Sequence, residues 1–267
     1  FQPGKKGAIE TGISIAKNEL IITTDGDCLP EPNWLLTVAQ FQIERKCSMV
    51  VGPVRLTGIG DFLDQFQIME FAALQGITGA TMDFKVPTMC NGANLAYLKS
   101  SFHAVGGFEG NKHMASGDDE FLLHKFWNHF DSRINFLKNP EAIVETMTTP
   151  TFIDWWRQRK RWASKWKSYK GVSSKLTAIA IFIFNLNIIF GALLLTFGFL
   201  NLEVFSGWLI LKMIVDYLFI KNVNGFLSKK TNLLYFILME MIYPFYTIIF
   251  GLAGLFGGYT WKGRKTK

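Results

Sequence analysis

Leu20-Ile21-Ile22-Thr23-Thr24-Asp25-Gly26-Asp27 is the stretch from which the rest of the chain can be read. A short β-branched apolar run ending in Asp-Gly-Asp reads as a buried strand opening into a loop. Two carboxylates flanking a glycine can share a hard divalent cation, and the glycine lets a diphosphate come close to the backbone. The same triplet is ordinary turn chemistry, so its meaning depends on what surrounds it.

Strands and helices alternate on the C-terminal side. Asn33 is placed to cap a helix running to about Arg45, and Met49 to Leu56 reads as another strand. Phe62 to about Gln75 has helical periodicity, with Phe62, Phe66, Met69 and Ala73 on one stripe. Asn91-Gly92-Ala93-Asn94 reads as a turn into a short strand, and Ser100 as the cap of a brief helix ending at Gly106-Gly107. Asp118-Asp119-Glu120 then opens a helix to about His129, where carboxylates suit the dipole and where neighbouring acids suit a general base. The alternation predicts an α/β sheet with ligands at the carboxyl ends of its strands.

The character changes at residues 151–171. Thr151-x-x-Asp154 has the form of a capping box. Phe152, Trp155, Trp156, Trp162 and Trp166 are interleaved with Lys and Arg, the pattern of a helix lying at a membrane–water interface. On a helix Gln158, Arg161 and Trp162 share a face, joining an amide, a phosphate-binding guanidinium and a flat indole platform. Leu176 to Leu200 carries no charge and is long enough to span a roughly 30 Å hydrocarbon core. Asn232 to Gly257 is similar, with Glu240 its one charge. Leu202 to Ile220 is a weaker candidate because it holds Lys212 and Asp216, which at this spacing can neutralise each other. Residues 172–267 are therefore expected to hold two or three spans. Asn201 to Glu203 suits the outer side, and Lys221, Lys229 and Lys230 the cytoplasmic side. Three full spans would put Lys262, Arg264, Lys265 and Lys267 outside, against the positive-inside tendency, unless Pro244 breaks the last segment into a partial element.

Composition fits this division. Of 267 residues, 49% are hydrophobic and 18% charged, with 25 Phe, which excludes a disordered or collagen-like chain. The net charge of +7 points to an anionic partner, and the apolar segments favour lipid and phosphate over nucleic acid. The three cysteines, Cys28, Cys47 and Cys90, form no CxxC, and His103, His113, His124 and His129 have no metal-binding spacing.

Taken in order, D-x-D, an acidic pair and Q-x-x-R-W ahead of membrane spans resemble the family 2 glycosyltransferases. These are inverting GT-A enzymes that include cellulose, chitin and hyaluronan synthases and ceramide glucosyltransferases. Gly4-Lys5-Lys6-Gly7-Ala8-Ile9 is similar to that family's K-x-G-x-L segment, and Phe102 to Phe108 to the segment after its Asn91–Asn94 counterpart. The Trp-Lys-Gly-Arg at Trp261 is similar to the ending of single-transfer, lipid-linked members. The resemblance implies a partial GT-A nucleotide-sugar-transferase domain at residues 1–150, an interfacial Q-x-x-R-W helix at 151–171 and a transmembrane region. It implies that Asp25 and Asp27 hold a nucleotide diphosphate through Mg²⁺ or Mn²⁺ and that Asp119, assisted by Asp118, is the base. Lys5, Gln158 and Arg161 would touch the donor, a UDP- or GDP-sugar. Asn91, Gly92, Asn94 and Trp162 would touch a lipid or glycan acceptor. Gly-Asp-Asp stands where the family has T-E-D, which leaves the choice between Asp118 and Asp119 open. The expected function is single sugar transfer at the cytoplasmic face of the inner membrane. A processive polysaccharide synthase and a catalytically inactive membrane-anchored fragment are the alternatives. Because Phe1 falls in loop-like sequence, the first βα units of the GT-A domain are expected to lie outside this chain, leaving the nucleotide-side sheet edge exposed.

Overall fold

A computed structural model describes residues 4–110, 117–130, 133–164, 172–255, 259–261 and 264–266. Phe1, His113, Trp166, Lys262 and Lys267, all invoked above, lie outside the described residues. The chain divides into two compact units, the first built from residues 1–57, 77–147 and 260–266, the second from 58–76 and 148–259.

In the first unit the elements are α1 (Lys5–Ile15), β1 (Leu20–Thr23), β2 (Leu29–Pro30), α2 (Trp34–Arg45), β3 (Met49–Val51) and β4 (Val54–Thr57). After α3 (Phe62–Asp83), which begins in the second unit, come β5 (Leu95–Leu98), α4 (Lys99–Ala104), α5 (Asp118–Phe130), β6 (Ile134–Phe136), a 3₁₀ turn at Pro140–Ala142 and β7 (Val144–Met147). The strands form an α/β core of two sheets, β1-β5-β3-β6 and β2-β7-β4. Side-chain alternation gives the first sheet two cores. Met49, Val51, Leu95 and Tyr97 pack with Ile13 of α1 and Leu122 and Phe126 of α5, while Val50 and Ala96 pack with Trp34 and Val38 of α2.

The register of β5 positions the site. β3 and β6 are parallel, but β5 runs antiparallel to both β1 and β3. Thr23, the last residue of β1, therefore lies opposite Leu95, the first of β5. The turn before β5 is thereby delivered to the carboxyl end of β1, beside Asp25.

Four local expectations need correction. Asn33 stands before α2 but its side chain makes no capping bond, donating instead to the Glu141 carboxylate at 3.3 Å. Met49 to Leu56 is not one strand: Gly52-Pro53 divides it, and β4 leaves for the second sheet to pair in parallel with β7. Proline has no N–H to donate, and a Cβ on Gly52 would stand 2.3 Å from the Asn94 amide, so this corner is fixed by its residues. Ser100 does not cap α4. Leu98 takes the cap position, and the Ser100 N–H and hydroxyl both donate to Glu19. Nor is β1 buried: it is half-exposed along its length and, among the described residues, pairs only with β5.

The second unit contains the first part of α3, α6 (Phe152–Ser164), α7 (Val172–Thr196), α8 (Leu202–Phe226) and α9 (Leu233–Leu255). A short ribbon that pairs β8 (Tyr259–Trp261) with β9 (Arg264–Thr266) belongs, from Thr260 on, to the first unit. The Thr151 hydroxyl accepts the Asp154 N–H at 3.1 Å and donates to the Asp154 carboxylate at 2.7 Å, the expected cap at the start of α6. α7 and α9 are long and apolar enough to cross a membrane. Leu176, Ile183, Phe190, Leu234 and Met241 on them are exposed. α9 runs unbroken through Pro244, so the break considered there is absent.

Two sets of buried charge in this apolar unit are paired. Lys212 on α8 donates to Asp216 at 2.6 Å, as its spacing predicts, and also to Glu240 on α9. A second pair joins Glu70 of α3 to Arg159 of α6, at 3% and 2% exposure. Removing one member of a buried pair leaves an uncompensated charge. Glu70→Ala is accordingly expected to cost about 3–5 kcal/mol, read as a lowered unfolding midpoint of the purified protein. An unchanged midpoint would show that the pair is dispensable.

Candidate active site

The site is assembled from α1, the β1 end, the turn before β5 and the start of α5. Lys5, in the first turn of α1, donates to the Asp25 carboxylate and lies 3.9 Å from that of Asp118. The side chains of Lys5 and Asp25 are 42% and 40% exposed, so a ligand from solvent can reach them. Burial works against the Lys5 ammonium, but Asp118, Asp25 and Asp119 together outweigh it and hold its pKa above the ordinary lysine value. Lys6, buried on the next position, is pushed the other way by burial.

Gly117, with φ 87°, turns the chain into α5 in a conformation that favours glycine. Its carbonyl accepts the N–H of Phe121 at 3.0 Å, so Asp118 and Asp119 sit in the first turn. One Asp119 oxygen accepts the Glu120 N–H at 2.9 Å and the other accepts the Gly92 N–H at 3.0 Å. The turn before β5 thus orients one acid of the pair, and Lys5 faces the other. A Cβ on Gly92 would stand 3.2 Å from the Lys5 Nζ and 3.4 Å from the Asp119 Cβ, so a side chain here would crowd the Lys5 ammonium. Lys5, Thr23, Gly92, Tyr97, Asp118 and Asp119 line a small pocket at this point. Tyr97 was not legible as a site residue; burial, with Asp118 adding to it, pushes its phenol well above the usual tyrosine range.

The other expected residues have different surroundings. Asp27 is exposed in the turn after β1, with the Cys28 thiol 3.9 Å from its carboxylate. Among the described residues no group of three His, Cys, Asp or Glu side chains is arranged to hold an ion. A Mg²⁺ or Mn²⁺ at Asp25 and Asp27 would take two carboxylates from the protein and its remaining oxygens from a diphosphate and water, a donor set that suits Mg²⁺. Asn91 accepts the Ala93 N–H at 3.0 Å, which shapes the turn. Asn94 is 2% exposed, and its side chain is used inside the protein. Its oxygen accepts the Trp34 indole N–H at 3.0 Å, and its NH₂ donates to the carbonyls of Pro53 at 2.8 Å and Ala142 at 2.7 Å. Gln158, Arg161 and Trp162 are half-buried on α6 of the second unit.

Residues 2–106 match the sequence model of Glycosyl transferase family 2. That segment holds Lys5, Asp25, Asp27, Asn91, Gly92 and Asn94 and ends ahead of Asp118. The chain is also similar to the probable glycosyltransferase YdaM of Bacillus subtilis (strain 168), at 29% identity over 164 residues. The aligned stretch makes up 60% of this chain and 37% of that relative, so the chain spans well under half of its length.

The geometry gives Asn94 a holding role. Asn94→Ala would strand an indole N–H and two carbonyls in the core, at a cost of about 3 kcal/mol or more. Its unfolding midpoint is expected to fall. A variant of unchanged stability with weakened ligand binding would instead make Asn94 a ligand contact.

Proposed function

We propose that this chain carries the donor- and acceptor-activating groups of an inverting glycosyltransferase. A sugar is moved from a UDP- or GDP-sugar to a lipid-linked or polysaccharide acceptor at the cytoplasmic face of the inner membrane. The observation that carries the reading is the joining, through Lys5 and Gly92, of the Asp-Gly-Asp turn, inside the segment that matches the family, to the Asp118-Asp119 pair beyond its end. The two long apolar helices support membrane attachment.

In this reading the acceptor hydroxyl loses its proton to Asp119 as its oxygen attacks the anomeric carbon. The bond from that carbon to the diphosphate breaks on the opposite face, and the nucleoside diphosphate leaves with the electron pair, so configuration inverts. Both Asp119 oxygens accept a backbone N–H, which sets the orientation of the carboxylate that takes the proton. No carboxylate need act as nucleophile, in contrast to retaining glycosidases. Lys5 hydrogen-bonds to Asp25 and has further N–H donors for a diphosphate oxygen. Asp25 and Asp27 would hold a divalent ion, which would supply charge stabilisation for the diphosphate. Asp118 shares the Lys5 ammonium and assists the neighbouring base. Asn91 and Gly92 shape the turn that faces the acceptor, with Asn94 holding it. Contacts of Gln158 and Arg161 to the diphosphate, and of Trp162 to the acceptor, belong to the same proposal and rest on the motif.

Asp119→Asn in the full-length protein is expected to lower kcat by about 10²–10⁴-fold while donor binding, followed by calorimetry, is kept. Undiminished turnover rules out Asp119 as the base. Lys5→Ala is expected to weaken donor binding about tenfold, roughly 1.4 kcal/mol, with the unfolding midpoint little changed. Unaltered donor affinity would remove Lys5 from the donor site.

A further inference from the structure

Arg159, one of the unassigned positions within Q-x-x-R-W, is the most buried side chain of that motif. Glu70 accepts its Nε–H at 2.9 Å and 3.1 Å through the two carboxylate oxygens, and accepts Nη2 as well. The Tyr246 hydroxyl, from α9, donates to the same carboxylate. Nη1 points the other way and donates to the side-chain oxygen of Gln158. The guanidinium carbon lies over the Trp162 ring, 4.4 Å from its centroid, and 6.0 Å from the centroid of Trp155. Three helices thus converge on one guanidinium, and both outer residues of the motif next to it are held by it.

We propose that Glu70, Arg159 and Tyr246 are positioning residues that act through Gln158 and Trp162; this rests on the functional reading of Q-x-x-R-W above. With its oxygen taken by Arg159, Gln158 presents its NH₂ group, the end that suits a diphosphate oxygen. The guanidinium over Trp162 fixes the indole plane on which an acceptor ring would rest. Lysine cannot replace this fork, because a point charge pairs with Glu70 without also donating to Gln158 and covering an indole. Tyr246 braces the carboxylate from the apolar helix α9, so the set of the motif depends on a helix long enough to cross a membrane.

A double-mutant cycle tests this in the full-length protein, assayed with UDP- and GDP-sugars. Tyr246→Phe removes one hydroxyl and leaves the ion pair in place. It is expected to lower kcat/KM about tenfold, mainly through kcat, because contacts to the departing diphosphate strengthen as charge develops. The unfolding midpoint should stay within about 4 °C. Combined with Gln158→Ala, it should reduce kcat/KM by less than the product of the two single effects, since part of its effect runs through that amide. Arg159→Lys should behave in the same way and serves if Tyr246→Phe folds poorly. Multiplicative effects, or a lowered midpoint with unchanged kinetics, would make the network simple scaffolding and overturn the proposal. A wild-type protein that transfers no sugar overturns the functional reading itself, and this inference with it. An active wild type silenced by Asp119→Asn but indifferent to Tyr246→Phe overturns the inference alone.

Discussion

The side-chain amide of Asn94 joins segments that are far apart in the sequence: the start of α2 through Trp34, the Gly52-Pro53 corner and the turn before β7. It is buried, and every bond it makes replaces one to water, so losing it would leave polar groups stranded in the core. The Gly52 N–H also donates to the Asn94 carbonyl at 2.9 Å, which closes the corner from the other side. With this point fixed, Gly92 two residues earlier is placed against Asp119, and the antiparallel course of β5 sets it beside the end of β1. The candidate site is exposed, but what determines its shape is a buried polar lock beneath it.

The second unit solves a different problem by related means. Its helices are apolar over most of their surface, yet they carry Glu70, Arg159, Lys212, Asp216 and Glu240. Opposite charges meet there, and hydrogen bonds from Tyr246 and to Gln158 complete the Arg159 set. Such pairs contribute little net stability compared with apolar packing, because desolvation offsets their attraction. They are directional, however, and they fix which helix faces meet. That property is useful next to a motif whose residues need a set orientation.

Much of this was legible along the chain. The strand at Leu20–Thr23, the helix starts at Trp34 and Asp118, the cap at Thr151 and the long apolar helices all follow from local patterns of polarity and capping. The Lys212–Asp216 pair was legible too, because its partners are one helical turn apart. Arg159 and Glu70 were hidden, being 89 residues apart in sequence. The only signal was a glutamate beside the apolar stripe of α3 and one more arginine in a basic run. Periodicity shows which face a residue occupies, but not what stands opposite. The split of Met49 to Leu56 had a readable cause in Gly52-Pro53, though not a readable destination.

By itself, then, the sequence determined the α/β alternation, the carboxylates at a strand end, the amphipathic Trp-rich helix and the apolar segments. Each of these is set by propensities and side-chain periods acting over a few residues. Tertiary structure decided that β5 runs antiparallel, that Lys5 lies between Asp25 and Asp118, that Asn94 is spent in the core, and that Glu240 meets Lys212. These are choices of partner between distant segments. They depend on which pairings satisfy buried charge and hydrogen-bonding groups at once, a condition that acts on the folded chain as a whole.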